Sequence, residues 1–541
     1  PQATREELLA EHQRWGALAA SKWPRVTLRL RDLEPNRRLR IGYVSPDFRL
    51  HAVMRFFEPV LAAHDRQAVE IFLYAELPRP DDVTRRLATY PATWRRIIGR
   101  GAHEVARMVQ EDRIDILIDL AGHTAHNRLD VLACKPAPVQ ATWLGYSNTT
   151  GLATVDYRIS DAVVDPPGEP TWSSEQVLRL PASFACFRPP DGAPDIEAPP
   201  AARRGGVTFG SHHPPIKLND GLLRMWREVL ERVPGARLCF VRDQFSPALV
   251  KLWQQRVAAV GIDTSRIEFR APSIAEHDYL SCFADIDIVL DSTPFNGHTM
   301  TCEALWMGVP VVTLRGERPM GRLSASVLTI LGREEWIAET PDEYIARAAA
   351  LAGDVQQLQY WRSALRPLVQ ERLGDGRQFA RELESLYRRI WSDYCRAEST
   401  ARQSAPPQLP VRDPTAPADW NQRGLSAVRR GDFAEAKNCF QQAVLLDPGY
   451  GSGWTNLGNA EKRLGRPADA ERNYLTALSL EPASTDIHWS LGQVRQLLNR
   501  PAEALASYRH AMRLRPNWSV AACSLARLLA SLGQSAEAIG V

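Results

Sequence analysis

The chain has 541 residues, too many for a single hydrophobic core, so two or three domains are expected. Its 66 Lys and Arg against 63 Asp and Glu leave a net charge of +3, too balanced to indicate nucleic acid or an anionic membrane as partner. No apolar run approaches the roughly 18 residues of a membrane span, and no signal-peptide pattern opens the chain.

Eight cysteines are scattered with no Cys-x-x-Cys and no compact Cys/His set, which favours reduced thiols in the cytoplasm over a disulfide framework or a zinc site. Pro1 is not an initiator Met, and Gly540-Val541 interrupts a helical pattern, so the chain reads as a fragment of a longer protein.

Within an N-terminal segment, 1–35, Leu8, Leu9, His12, Trp15 and Leu18 fall at helical spacing and predict an amphipathic helix. From 36 to 190, short apolar runs alternate with helical stretches: Ile41-Gly42-Tyr43-Val44, Val69 to Leu73, Ile116-Leu117-Ile118 and Val139 to Leu144. After a Pro-rich link the alternation resumes from 200 to 395, with Val207-Thr208-Phe209, Leu238 to Val241, Ile286 to Leu290 and Pro310 to Leu314. Alternation of this kind predicts βα units and parallel sheets, and two such domains in tandem imply a cleft between them. A linker rich in Pro, Ser, Ala and Gln is expected over 396–418.

From 419 to 541 residues recur at a period of 34: Trp420 and Trp454; Gly458 and Gly492; Ala436, Ala470 and Ala504; Phe440, Tyr474 and Tyr508; Pro448, Pro482 and Pro516. The spacing and residue choice resemble the tetratricopeptide repeat, with three complete units and a truncated fourth: a helical solenoid suited to an extended peptide.

The run from Asp291 to Trp306 reads as a strand exit, a polar turn and a helix start. Its Asn296-Gly297-His298-Thr299 turn would hold an anion through free N–H groups and the Thr hydroxyl, with Asn296 and Gly297 permitting unusual backbone angles. The bland alternative is an ordinary N-cap by Asn296 or Thr299. Glu303, in the first helical turn, is favoured there by the dipole and could also grip ribose hydroxyls. Lys217, after the strand Val207 to Gly210, is either a solvated surface lysine or the point charge that neutralises a diphosphate leaving group. His51 and His123 each follow a first-domain strand; both are candidates to face the cleft, and a structural role is the alternative. Asp285-Ile286-Asp287 matches an Asp-x-Asp metal signature but leads into a buried strand and reads as structural. Neither G-x-G-x-x-G nor G-x-x-x-x-G-K-[ST] is present.

Four motifs in order carry a family resemblance: Gly42-Tyr43-Val44-Ser45-Pro46-Asp47-Phe48; Lys135-Pro136-Ala137-Pro138-Val139-Gln140-Ala141-Thr142-Trp143-Leu144-Gly145-Tyr146; Lys217; and Asn296-Gly297-His298-Thr299 through to Thr313. Over about 5–395 the chain resembles the O-linked N-acetylglucosamine transferases of glycosyltransferase family 41, whose usual companions are such repeats. The resemblance implies an α/β fold of GT-B type, two Rossmann-like domains facing a cleft, followed by the all-α solenoid. It also implies a metal-independent inverting enzyme with no cofactor, using UDP-GlcNAc as nucleotide-sugar donor and Ser/Thr of protein or peptide acceptors docked by the repeats.

By that resemblance Lys217 contacts the donor diphosphate, His298 and Thr299 the uridine and phosphates, and Glu303 the ribose. His51 is an active-site histidine, Asp112 a base or proton relay, His277 a neighbour of the uracil, and Arg322 a residue of the loop after the last conserved strand. Where the family commonly has Phe-Asn-Asn or Phe-Asn-Gln before the lysine, this chain has His212-His213-Pro214, and Met300 replaces a Thr. Two alternatives stay open: another nucleotide sugar, such as GDP-fucose, on the same fold, and a degenerate transferase serving as a scaffold. The family usually places its repeats before the catalytic region, and a longer multi-repeat parent chain would account for their position here.

Overall fold

The computed structural model describes residues 3–28, 32–243, 245–272, 276–404, 416–534, 536 and 538. The chain divides into two compact units, Pro1–Arg402 and Gln403–Val541.

The first unit contains two parallel sheets. One is built from β1 (Leu39–Ser45), β2 (Val69–Ala75), β3 (Thr93–Arg96), β4 (Ile116–Asp119), β5 (Val139–Thr142), β6 (Tyr157–Asp161) and β7 (Gln176–Leu180), in the order β3-β2-β1-β4-β5-β6-β7. The other comprises β8 (Thr208–Ser211), β9 (Arg237–Val241), β10 (Ile267–Arg270), β11 (Ile288–Leu290), β12 (Val311–Leu314) and β13 (Ile337–Ala338), in the order β10-β9-β8-β11-β12-β13. Helices on both faces keep the central strands dry, which is why they read as near-continuous apolar runs: Ile41, Ile71 and Ile116 sit side by side and are buried. In each sheet the order reverses beside the first strand, between β1 and β4 and between β8 and β11. Ligands of open α/β sheets collect in the crevice at the carboxyl ends of those two strands.

The two lobes are tied together. The helix Gly376–Ser404, expected in the second domain, packs back on the first lobe: Tyr387 shares a 3.0 Å hydroxyl contact with Tyr43, and Glu384 lies 2.7 Å from His64 Nδ1. It also continues to Ser404, so the expected linker start at 396 is corrected; 405–415 lie outside the described residues. Ser326 Oγ donates to Asp161 Oδ2 at 2.6 Å across the lobes.

The N-terminal helix Arg5–Lys22 begins in a Thr4–Glu7 capping box and docks without intervening side chains at one point. A Cβ on Gly16 would lie 2.0 Å from the Gly151 carbonyl oxygen, and one on Gly151, whose φ is +75°, would meet the His12 carbonyl at the same distance. His12 Nε2 then reaches Tyr146 Oη at 2.9 Å.

The second unit stacks the helices Pro417–Arg429, Phe433–Leu446, Gly451–Arg463, Pro467–Leu480, Thr485–Leu497, Pro501–Leu514 and Ser519–Ser531. The 34-residue register has a packing cause. Gly424 faces Phe440, Gly458 faces Tyr474 and Gly492 faces Tyr508, and an added Cβ would come within 2.4, 2.7 and 2.4 Å of those rings. First helices of successive repeats are linked by Asn456 Nδ2 to Asn421 Oδ1 (2.9 Å), Lys462 Nζ to Gln493 Oε1 (2.8 Å) and Trp489 Nε1 to Ser524 Oγ (3.1 Å). Among the described residues no helix is long and apolar enough to cross a membrane.

Gly16→Ala should gain helix propensity yet lose about 1–3 kcal/mol overall, because the methyl meets fixed backbone rather than a side chain that can turn away. A lower thermal midpoint with faster amide exchange in Arg5–Lys22 is the expected result; unchanged exchange there would show that the docking tolerates a methyl.

Candidate active site

The switch points of the two sheets face one another across two adjoining cavities. The larger, about 500 Å³, is lined from the first lobe by His51, Phe56, Thr124 and Tyr146, and from the second by His213, Lys217, Arg242 and the turn from Phe295 to Met300. The smaller, about 350 Å³, is lined by Leu50, His51, Arg55, Arg242, Asp243, Tyr279, Thr299 and Glu303. Both fall in the size range of small-molecule sites.

The turn between β11 and the helix Thr299–Trp306 is held from beneath by Asp291. Its Oδ1 accepts the N–H groups of Ser292 (2.9 Å) and Gly297 (2.8 Å), its Oδ2 accepts the Thr313 hydroxyl (2.7 Å), and His213 Nε2 lies 3.0 Å from Oδ1. Burial alone would raise the pKa of this carboxyl; hydrogen bonds from His213 and Thr313 outweigh it and hold the group below the usual carboxylate range.

Asn296 Nδ2 closes the turn onto Ser292 O at 2.8 Å, so its side chain does not cap the helix. No side chain bonds to the helix start at His298, which leaves the positive end of the dipole facing the cavity and removes the ordinary-cap alternative. Neither Asn296 nor Gly297 has a positive φ, which corrects the expectation about backbone angles. Space favours glycine at 297: a Cβ would stand 2.8 Å from Met300 Cε and Thr301 Oγ1, and those side chains would have to shift.

Lys217 reaches this turn from the loop after β8. Its Nζ donates to Asn296 O at 2.8 Å and lies 3.5 Å from the centre of the Phe295 ring. Burial brings its pKa down to about 8. His298 is sandwiched between two first-lobe rings, Phe56 at 4.2 Å and Phe184 at 5.0 Å, both nearly parallel to it. Burial, with the Lys217 charge, pushes it down to about 3, so it is neutral at any working pH. Glu303 hydrogen-bonds Tyr279, and burial raises it to about 7 against the charges of Arg55 and Arg242. His51 Nδ1 accepts from Val53 N–H at 3.3 Å and lies 3.6 Å from Asp47; burial lowers its pKa.

The profile of glycosyl transferase family 41 matches residues 24–187 and 206–383 of this chain. The chain belongs to that family. Tetratricopeptide repeat profiles match 417–450 and 455–517. The probable UDP-N-acetylglucosamine–peptide N-acetylglucosaminyltransferase SPINDLY of Solanum lycopersicum is 38% identical over 404 residues, 73% of this chain and 43% of the relative. The corresponding probable transferase SEC of Arabidopsis thaliana is 29% identical over 371 residues, 66% of this chain and 38% of the relative. A mutant O-GlcNAc transferase of Thermobaculum terrenum superposes with a TM-score of 0.69 at 35% identity, covering 73% of this chain and 76% of that one. The chain thus spans less than half the length of these curated relatives.

Of the residues expected in this family 41 site, the fold brings together His51, Lys217, Asn296, Gly297, His298, Thr299 and Glu303 around the two cavities. Four others lie elsewhere. Asp112 caps the helix Ala102–Glu111 just before β4, at the amino end of a parallel strand whose carboxyl end serves the cleft. It is held by Arg95 (2.6 and 2.9 Å) and the Tyr74 hydroxyl (2.8 Å), so its expected role as base is withdrawn.

His123 binds Thr150 O at 2.8 Å and packs against Trp15 and His12, which makes it a seat for the N-terminal helix. Arg322 is taken up by Glu169 (3.1 Å) and Gly316 O (2.8 Å) and lines neither cavity. His277 is exposed beside Asp278 and lines neither cavity. The Asp-x-Asp pair is structural: Asp287 accepts the amides of Ala201 and Thr208, and Asp285 pairs with Arg204 and Arg270.

Sequence reasoning missed Arg242, Tyr279, Phe56 and Phe184. Only Arg242 carried a signal, its place at the carboxyl end of a predicted strand. His212 is a separate case, stacked on Phe283 at 3.9 Å with both ring nitrogens buried and, among the described residues, without hydrogen-bond partners. His212→Phe should keep the stacking, remove two unsatisfied polar atoms and raise stability by about 1 kcal/mol. A lower thermal midpoint would show that the imidazole has a partner.

Proposed function

We propose that this chain is an inverting glycosyltransferase that moves N-acetylglucosamine from UDP-GlcNAc to Ser/Thr hydroxyls of proteins, with the repeats recruiting the acceptor. The observation that carries this reading is the convergence of the Lys217 ammonium and an uncapped helix N-terminus on one wall of the larger cavity.

In this reading the donor's nucleoside lies in the smaller cavity against Glu303, and the sugar and its diphosphate lie in the larger. The acceptor oxygen forms a bond to the anomeric carbon as the bond to phosphate breaks, and the electron pair leaves on the nucleoside diphosphate. Lys217 and the N–H groups at Thr299 stabilise that charge without reorganising, the role a metal would otherwise fill. Among the described residues no three His, Cys, Asp or Glu side chains converge as ligands. The acceptor proton passes to His51 or to water. With Nδ1 accepting the Val53 N–H, the neutral ring carries its proton on Nε2, so this tautomer donates into the cleft; accepting a proton at Nε2 needs Nδ1–H turned to Asp47.

Lys217→Ala should lower transfer from UDP-GlcNAc to a Ser/Thr peptide about 10²- to 10³-fold with the thermal midpoint nearly unchanged, since the desolvation of its charge offsets its hydrogen bond to Asn296 O and its contact with the Phe295 ring. Competition by UDP but not GDP identifies the nucleotide. Inhibition by GDP alone would transfer the reading to a guanosine-diphosphate sugar, and wild-type turnover in the variant would sink the assignment.

The pH profile follows from the two shifted groups. Glu303, raised to about 7, must be ionised to accept ribose hydroxyls, so kcat/KM is lost as pH falls through about 7. Lys217, lowered to about 8, must be protonated, so activity is lost as pH rises through about 8. A narrow bell is expected, with Lys217→Arg erasing its alkaline limb; an alkaline limb that survives that substitution would belong to another group.

A further inference from the structure

Arg242 stands just past β9 and lines both cavities, which places its side chain at their junction. Its backbone is fixed: the N–H donates to Arg270 O at 2.9 Å and the carbonyl accepts Phe245 N–H at 3.3 Å. The side chain is not comparably satisfied. Among the described residues its buried Nε has no hydrogen-bond partner, although buried polar groups are nearly always matched.

Asp243, the next residue, also lines the smaller cavity but is exposed to solvent. Asp291 is engaged by its own turn and by His213, and Glu303 is kept partly protonated by burial. The Arg242 charge further depresses Lys217, so two cations share one cavity wall and repel each other until an anion lies between them.

We propose that Arg242 is a second cation of the donor site, binding the phosphate that joins the nucleoside compartment to the Lys217 compartment. This rests on the nucleoside diphosphate reading above. A phosphate fits better than a base edge for two reasons. The junction is shared with Thr299 at the helix start, so both positive groups bear on one point. A planar guanidinium also matches two phosphate oxygens at once, whereas Lys217 acts as a point charge on the departing oxygen. The donor is then read in order: nucleoside against Glu303 and Tyr279, first phosphate at Arg242 and Thr299, leaving phosphate at Lys217.

The test titrates the full chain and its Arg242→Met and Arg242→Lys variants with UDP by calorimetry and with uridine by ligand-observed NMR. Arg242→Met should weaken UDP about 10- to 100-fold, the span of a hydrogen bond to a charged group, and leave uridine unchanged. Arg242→Lys should recover part of the loss, and the ligand-free melting temperature of the Met variant should be unchanged or higher, since an unmatched buried donor is removed. UDP affinity in the Met variant within about twofold of a binding wild type, or a parallel loss of uridine, would overturn this assignment alone. A wild-type chain that binds neither UDP nor GDP would overturn it together with the reading it rests on.

Discussion

Asp291 directly follows β11 with both carboxylate oxygens in use, and the geometry of the candidate site descends from it. By accepting the Gly297 N–H it folds the turn back on itself, so the following helix starts with its own N–H groups unspent. By bonding Thr313 it ties that turn to β12, and by pairing with His213 it ties it to the loop after β8 that carries Lys217. Tyr344 adds a 3.0 Å bond to the Asp291 carbonyl. A buried carboxylate without such donors would protonate and release the turn. Here it stays ionised and draws three segments to one point.

The same point is where the lobes meet. His298 belongs to the second lobe, but the two rings that enclose it, Phe56 and Phe184, come from the first. Glu303 in turn feels the charge of Arg55, another first-lobe residue. Lys217, Arg242 and Arg55 therefore gather at the interface, while Asp291 is consumed by its turn and burial raises Glu303.

Much of this was legible in the chain. The central strands announced themselves because strands covered on both faces are apolar throughout, and the repeats because a Gly and an aromatic ring must meet once per unit. The edge strands β3 and β10 escaped because they are only half-buried, and β6 and β7 because they carry arginines; Arg158 in β6 is neutralised by Asp165 at 2.7 and 2.9 Å. Asp112 and Arg322 resembled site residues by position in a family pattern, yet each is engaged by an ion pair, Asp112 with Arg95 and Arg322 with Glu169 of the first lobe, and neither lines the two cavities.

By itself the sequence determined two α/β layers, the repeat register, and the residues that follow strand carboxyl ends, since periodicity records which face of each segment is buried. It could not determine which of those strand ends converge. That depends on strand order and lobe packing, which bring residues as far apart in sequence as His51 and Leu323 into one cavity. Tertiary structure alone therefore decided that Lys217, His298 and Arg242 share a wall, that His123 instead seats a helix, and that the anion turn rests on one buried carboxylate.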